Sequence, residues 1–141
     1  MPDFTVSTRL ADVDRERLHQ FLDQESGWAR GISREIVERS VENSLNFTLL
    51  DTDGKQRGYA RVVSDRATFA WLCDVYVDAE LRGQGLAHRL LESVDQHPDL
   101  QGLRRWMLAT STAPWLYEKY GWKPVARPEV WMERHTPYRA S

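Results

Sequence analysis

The sequence predicts a mixed α/β sandwich formed by one domain over residues 1–141. Three observations predict this class. An alternating segment opens the chain at residues 4–10, and an Asp53-Gly54 turn lies between two alternating runs. An apolar run at residues 69–77 is then followed by a glycine-rich turn and a helix with an apolar stripe.

The first half of the chain predicts one strand and two helices. Residues 4–10 alternate as a strand does. We expect Asp12 to cap a first helix. That helix buries a single face made of Val13, Leu18, Phe21 and Leu22. Residues 27–32 form a turn, and residues 33–45 form a second helix that starts at Ser33.

The middle of the chain predicts the centre of the sheet. Residues 46–51 and 57–64 should pair as a hairpin around the tight turn at residues 52–55. The longest apolar run, residues 67–77, predicts a central strand that is buried on both sides.

The last part predicts two more helices and three more strands. A stripe of Leu86, Leu90 and Val94 defines a helix that ends at His97-Pro98. Residues 104–110 predict a strand, and residues 111–122 predict a helix with Pro114 in its first turn and Gly121 at its end. Short strands at residues 122–126 and 130–133 would complete the sheet.

Composition narrows the functional classes. The formal net charge is −2, so no surface for nucleic acid is expected. No apolar run is long enough to span a bilayer, and no signal segment is recognisable, so we expect no membrane partner and a cytoplasmic protein. Cys73 is the single cysteine, and its segment indicates a small buried side chain. The histidines lack metal-ligand spacing, and no metal is expected.

The glycine-rich turn at residues 82–85 is the first candidate binding site. Backbone N–H groups at the start of a helix lack partners and stabilise an anion, and Gly83 and Gly85 allow close approach. Arg82 can add a charged contact to a phosphate. Neither the P-loop pattern nor the dinucleotide-binding pattern is present. A plain strand-to-helix turn with a solvated arginine is the alternative.

Two motifs resemble those of the GNAT acyltransferase superfamily. Residues 82–87, Arg-Gly-Gln-Gly-Leu-Ala, are similar to its acyl-CoA-binding motif (Arg/Gln)-x-x-Gly-x-(Gly/Ala). Residues 116–122 are similar to its Leu-Tyr-x-x-x-Gly-Phe signature, with Trp122 in place of phenylalanine. The resemblance covers residues 4–133. It implies a mixed, mostly antiparallel sheet of about six to seven strands flanked by about four helices, splayed between the fourth and fifth strands.

The resemblance also implies acetyl-CoA, or coenzyme A, as the cosubstrate. The turn would hold its pyrophosphate, and pantetheine would lie between residues 75–77 and 108–110 like an added strand. The family often places Asn at the end of the penultimate strand, where this chain has Thr110, Ser111 and Thr112. The residues expected to bind the cosubstrate are Val75, Tyr76, Val77, Arg82, Gly83, Gln84, Gly85, Leu86, Ala87, His88, Thr110, Trp115 and Tyr117.

Two residues are candidates for catalysis. By the resemblance, Tyr117 would give a proton to the leaving thiolate, since a phenol is protonated at neutral pH; the alternative is an aromatic side chain that orients pantetheine. Strict alternation would place Asp74 on one face with Leu72 and Tyr76. Asp74 could act as a general base or bind the amine, but a structural counter-ion and a water relay stay open.

The acceptor is expected to be a primary amine, either of a small molecule or of a protein or peptide, which attacks acetyl-CoA directly in a ternary complex. Candidate residues for its site are Trp28, Arg30, Tyr59 and Asp74, with Arg34, Trp115 and Trp131 as further aromatic or basic groups. The sequence therefore predicts an acetyl-CoA-dependent N-acetyltransferase. A non-catalytic acyl-CoA-binding or sensor module is the alternative, and a homodimer is expected by analogy with the fold.

Overall fold

The computed structural model describes residues 3–138 and contains one five-stranded sheet in the order β1-β2-β3-β4-β5. The first four strands are antiparallel neighbours, and β5 joins β4 in parallel. A parallel pair needs a long crossover, which the helix between β4 and β5 supplies. The strands are β1 (Thr5–Ser7), β2 (Leu45–Leu50), β3 (Gln56–Ser64), β4 (Phe69–Val77) and β5 (Arg105–Met107).

Four α-helices flank the sheet: α1 (Arg15–Gln20), α2 (Arg34–Glu42), α3 (Leu86–Gln96) and α4 (Pro114–Glu118). A π-helical turn, Phe21–Glu25, continues α1 directly. None of the helices in the described part of the chain is long and apolar enough to cross a bilayer.

The helix starts follow from local capping. The Ser33 hydroxyl accepts a hydrogen bond from the Ile36 N–H at 3.2 Å, which starts α2 as predicted. The prediction that Asp12 caps the first helix is wrong, because Asp14 accepts the Arg17 N–H at 3.0 Å and Asp12 instead accepts the Ser7 hydroxyl at 2.6 Å. Asp12 ends a short 3₁₀ turn that precedes α1.

The sheet carries one hydrophobic core on each face. On one face, α3 buries its apolar stripe against β2, β3 and β4. On the other face, α1 and α2 cover Tyr59 and Tyr76. The two layers leave the strand ends and the loops that follow them at the surface, which is where the candidate site lies.

A β-bulge interrupts β4. Tyr59 is opposite Tyr76 and Arg61 is opposite Cys73, so two residues of β4, Asp74 and Val75, face one residue of β3. Asp74 has a φ of 56°, a left-handed conformation that is uncommon for a residue with a side chain. The extra residue shifts the alternation of side chains along the strand.

The bulge corrects one prediction from the sequence. Leu72 packs in the core beneath α3, whereas Tyr76 packs in the core beneath α1 and α2. Asp74 therefore cannot share one face with both residues, because strict alternation holds only in an uninterrupted strand.

The splay between the fourth and fifth strands is confirmed. Pairing between β4 and β5 is limited to three residue pairs, Phe69 to Trp71 with Arg105 to Met107. Beyond Trp71, the edge of β4 that faces β5 has no strand partner in the described chain. The segment predicted as a strand at residues 104–110 thus pairs only over its first half.

The C-terminal strands were predicted wrongly. Residues 122–126 and 130–133 form no strand, and Pro128–Val130 is a short 3₁₀ turn. Pro124 and Pro128 lie in this segment and cannot donate ladder hydrogen bonds. The sheet consequently has five strands and not six or seven.

Candidate functional site

The glycine turn presents the first turn of α3 to solvent. A 3₁₀ turn, Ala79–Leu81, leads into four exposed residues, 82–85, and α3 begins at Leu86. Gly83 and Gly85 have φ values of 85° and 75°, and an added Cβ at either position would meet no atom within 4 Å. Glycine is therefore required by the backbone conformation and not by a lack of space.

The amides that start α3 have no acceptor from the cap. Gly85 takes the N-cap position and has no side chain to accept from them. Among the predicted residues, Leu86, Ala87 and His88 supply these amides, and the helix dipole adds a partial positive charge. The turn can accordingly hold an anion with its main chain.

The free edge of β4 lies next to this turn along the chain. Val75, Tyr76 and Val77 are the last residues of β4, beyond its pairing with β5. Across the splay, residues 108–110 have no regular structure. Thr110 is exposed, and its hydroxyl accepts the Ala113 N–H at 3.2 Å, which organises the start of α4. An extended chain can lie against such an unpaired strand edge.

Tyr117 lies half-buried on α4 against the core beneath α3. Its ring packs edge-on against Trp122 at 6.3 Å, and Trp122 packs edge-on against Trp106 at 6.0 Å. Burial raises the pKa of Tyr117 above its ordinary value. The phenol consequently keeps its proton at neutral pH, as a proton donor must.

His88 joins α3 to the end of α4. Its Nδ1 lies 2.8 Å from the Tyr120 hydroxyl, which also donates to the His88 carbonyl at 3.3 Å. The sequence predicted His88 as a phosphate contact and gave no sign of Tyr120. The hydrogen bonds connect the helix that follows the glycine turn to the turn that follows α4.

Asp74 forms a largely buried ion pair. Its Oδ2 accepts Arg61 Nε at 2.8 Å, and Arg61 Nη1 donates to the Ser44 hydroxyl at 3.1 Å. The two side chains are only 10% and 19% exposed. Burial opposes the charge on Arg61, but the surrounding groups, the Asp74 carboxylate foremost, together raise the pKa of the guanidinium. The geometry is that of a structural counter-ion, one of the roles left open by the sequence.

Cys73 precedes Asp74 in the same strand. Burial, with a smaller contribution from the Asp74 carboxylate, raises the pKa of its thiol to about 12. A thiol that stays protonated is a poor nucleophile. The structure leaves Cys73 half-buried, so its interpretation as a small buried side chain is confirmed only in part.

Of the predicted acceptor residues, Trp28 and Arg30 are exposed in the loop between α1 and α2. Trp28 is 57% exposed and packs edge-on against Phe21 at 5.8 Å. Phe21 in turn stacks on Tyr76 at 3.9 Å. These three rings form an aromatic column that runs from the surface to β4, beside the bulge.

Tyr59 does not belong to an exposed acceptor wall. Its side chain is fully buried, and its hydroxyl donates to the Asn46 amide oxygen. Burial also raises the pKa of its phenol. Tyr59 is therefore a core residue, and its polar group is satisfied inside the protein.

The other predicted acceptor residues lie on separate elements. Arg34 starts α2 and lies 3.7 Å from Glu38. Trp115 on α4 is 58% exposed and contacts the Lys119 ammonium, 5.6 Å from its ring centre. Trp131 covers the Arg105 guanidinium at 4.7 Å, on the outermost strand. The structure thus brings together Trp28, Phe21 and Tyr76, but it gives Arg34, Trp115 and Trp131 separate partners.

One charged cluster was missed by sequence reasoning. The Asp78 carboxylate accepts Arg17 Nη2 and Arg57 Nε, each at 2.9 Å. Arg57 also donates to Glu80 and, at 3.3 Å, to Asp51. Arg17, Arg57 and Asp78 are far apart in the sequence, and no local pattern could have brought them together. Within residues 3–138, by contrast, no three metal-ligating side chains come together.

Comparisons with known proteins agree with this geometry. Residues 43–124 match the family model "Acetyltransferase (GNAT) domain". The crystal structure of a proposed GNAT-family acetyltransferase from Xanthomonas campestris pv. campestris superposes on this chain with a TM-score of 0.94. The two sequences are 45% identical, and the alignment covers 100% of this chain and 99% of the other. The chain has no significant match among curated proteins.

Two more distant structures share the fold. Glucosamine-6-phosphate N-acetyltransferase from Arabidopsis thaliana has a TM-score of 0.68 at 19% identity, covering 94% of this chain and 98% of its own. A predicted acetyltransferase from Clostridium acetobutylicum, solved with acetyl-CoA, has a TM-score of 0.70 at 14% identity, covering 96% of each chain.

Proposed function

The chain belongs to the GNAT acetyltransferase family, and we propose that it transfers the acetyl group of acetyl-CoA to a primary amine by direct attack in a ternary complex. The observation that carries this proposal is the unpaired edge of β4, which leads into a helix start whose amides are uncapped. An anion site and an open strand edge in series suit a long ligand with a pyrophosphate and an amide-bearing arm.

Residues of the turn bind the cosubstrate in this proposal. The amides from Gly83 to His88 hold the pyrophosphate, and Arg82, which is exposed at the rim, adds a charged contact. The main chain of residues 75–77 pairs with pantetheine. Acetyl-CoA supplies the thioester that is attacked. A main-chain N–H at Tyr76 or Val77 would donate a hydrogen bond to the carbonyl oxygen of that thioester and polarise it.

Tyr117 is the proton donor in this proposal. Its half-buried phenol has a raised pKa and stays protonated, so it can protonate the thiolate as coenzyme A leaves. Its contact with Trp122 fixes the ring without using the hydroxyl. The same contact would also let the ring orient pantetheine.

The amine must lose its proton before it attacks. Asp74 is already engaged by Arg61, and we assign it the role of holding the bulge that turns the end of β4. A water relay at the free edge of β4 then accepts the proton. Trp28 and Arg30 line the acceptor side, where an aromatic ring can pack on the cation or on its apolar stem.

A turnover screen tests the proposal. Purified protein is supplied with acetyl-CoA and a panel of polyamines, amino acid derivatives and lysine peptides, and the release of free thiol is followed. We expect turnover with at least one amine and acetyl recovered on its nitrogen. Binding of coenzyme A without turnover on the whole panel would instead support a sensor and overturn the catalytic proposal.

A further inference from the structure

Arg17 forms hydrogen bonds to residues that precede two separate loops of the candidate site. Its Nη1 donates to Glu25 at 2.6 Å, and its Nη2 donates to Asp78 at 2.9 Å. Glu25 ends the π-helical turn that leads into residues 26–33. Asp78 immediately precedes the 3₁₀ turn that leads into the glycine turn at residues 82–85.

The π-helical turn sets the conformation of the loop at residues 26–33. The Ser26 N–H donates to the Phe21 carbonyl at 2.8 Å, and the Ser26 hydroxyl donates to the Leu22 carbonyl at 2.6 Å. The same hydroxyl accepts the Trp28 and Ala29 amides, each at 3.2 Å. A π-helical turn is rare and is frequently found at functional sites. The position of Trp28 therefore depends on how this turn is held.

The carboxylate of Asp78 sets the position of the second loop. Its side chain is only 13% exposed and is also bound by Arg57 Nε at 2.9 Å. The Asp78 carbonyl accepts the Leu81 N–H at 2.9 Å, which closes the turn before Arg82. Asp78 thus links the segment that leads into the glycine turn to Arg17 and Arg57.

The aromatic column adds a second connection at the same place. The Arg17 guanidinium lies 5.7 Å from the centre of the Tyr76 ring, on which Phe21 stacks. A guanidinium is planar and holds its partners in a fixed geometry. One side chain therefore contacts the residue that begins the segment leading into the glycine turn, the end of the π-helical turn and the column that supports Trp28.

We propose that Arg17 is a positioning residue that couples the two loops, so that coenzyme A bound at residues 82–88 orders residues 26–33 before the amine binds. The inference rests on the proposed function, because it assigns residues 82–88 to coenzyme A. By thermodynamic reciprocity, an amine bound at Trp28 then tightens the binding of coenzyme A.

Hydrogen exchange on the full chain, with and without saturating coenzyme A, tests this coupling. The readout is the exchange rate of the amides at residues 27–31. Among them, the Trp28 and Ala29 amides donate to the Ser26 hydroxyl, and the Gly31 amide donates to the Asp23 carboxylate. In the unmodified protein, coenzyme A should slow these amides by about fivefold, the lower end of typical coupling between sites. The Arg17→Gln variant should lose this slowing.

Two further variants make the result specific. Glu25→Ala removes the acceptor of Arg17 on the first loop only, so it should bind coenzyme A as tightly as the unmodified protein and still lose the slowing; it also serves if Arg17→Gln does not fold. Arg39→Gln removes an exposed ion pair with Glu35 on α2 and should keep the slowing. A merely structural role for Arg17 would not separate Glu25→Ala from Arg39→Gln.

The outcomes separate this inference from the proposed function. If coenzyme A slows exchange at residues 83–88 but not at residues 27–31, the coupling is wrong and the cosubstrate site stands. Slowing that persists in the Glu25→Ala variant also overturns the coupling. If the unmodified protein does not bind coenzyme A, the proposed function itself is overturned.

Discussion

The Asp74→Ala variant separates the two roles that remain for this carboxylate. Removing it leaves the Arg61 guanidinium, which is only 19% exposed, without its counter-ion. Breaking a buried pair in this way typically costs about 3–5 kcal/mol of folding free energy. Since some water still reaches both side chains, we expect the lower end of that range, about 3 kcal/mol.

Three further variants refine this expectation. Asp74→Asn keeps an acceptor for Arg61 and tolerates the φ of 56°, so it should cost about 1–2 kcal/mol. Glu129→Ala removes an exposed partner of Arg127 and should change stability by less than about 0.5 kcal/mol. Arg61→Leu combined with Asp74→Ala removes both charges and should recover part of the lost stability.

Chemical denaturation and turnover are measured on the same preparations. As a structural counter-ion, Asp74 should be dispensable for chemistry, and kcat of the folded Asp74→Asn variant should stay within about threefold of the unmodified value. A general base would behave differently. Unchanged stability together with a loss of kcat of about 100-fold or more would refute the structural role and identify Asp74 as the base.

Three other predictions follow from the site. Tyr117→Phe should lower kcat by about 100-fold, while calorimetry shows an unchanged affinity for coenzyme A. The reaction needs the protonated phenol, and the pKa of Tyr117 is raised. Turnover of the unmodified protein should therefore persist above pH 10 before it falls. Gly85→Ala and Gly54→Ala each place a Cβ on a residue with a positive φ, so each should lower the free energy of unfolding, measured by chemical denaturation, by about 1 kcal/mol. Only Gly85→Ala should also weaken the binding of coenzyme A. Cys73, with a pKa of about 12, should react with a thiol reagent at pH 8 far more slowly than an unfolded control, and rapid labelling of the native protein would contradict its burial.

Local patterns predicted the framework of the fold. The Asp53-Gly54 turn, the Ser33 cap and the stripe on α3 each depend on nearby residues, and the structure confirms the hairpin and both helices. The splay between β4 and β5 followed from the family resemblance. The glycine turn was recognisable because positive φ values restrict the residue type.

The errors arose where distant residues decide the outcome. The bulge at Asp74 is stabilised by Arg61 from the neighbouring strand, and periodicity within β4 contains no trace of it. Tyr59 is an aromatic residue of the kind expected to line an acceptor site, which is why it was predicted there. In the structure its side chain is completely buried beneath the helices, and its hydroxyl is hydrogen-bonded to Asn46. Arg17 and Asp78 meet only because α1 crosses the end of β4. The homodimer and the primary amine acceptor stay predictions.

The most direct measurement for the account is an amide chemical-shift titration of the isotope-labelled protein with coenzyme A. We predict saturable shifts concentrated at residues 75–77 and 83–88, where the strand edge is unpaired and the helix start uncapped. Titration to millimolar coenzyme A without shifts, or with shifts that avoid both segments, would contradict the claim that these main-chain groups hold the cosubstrate.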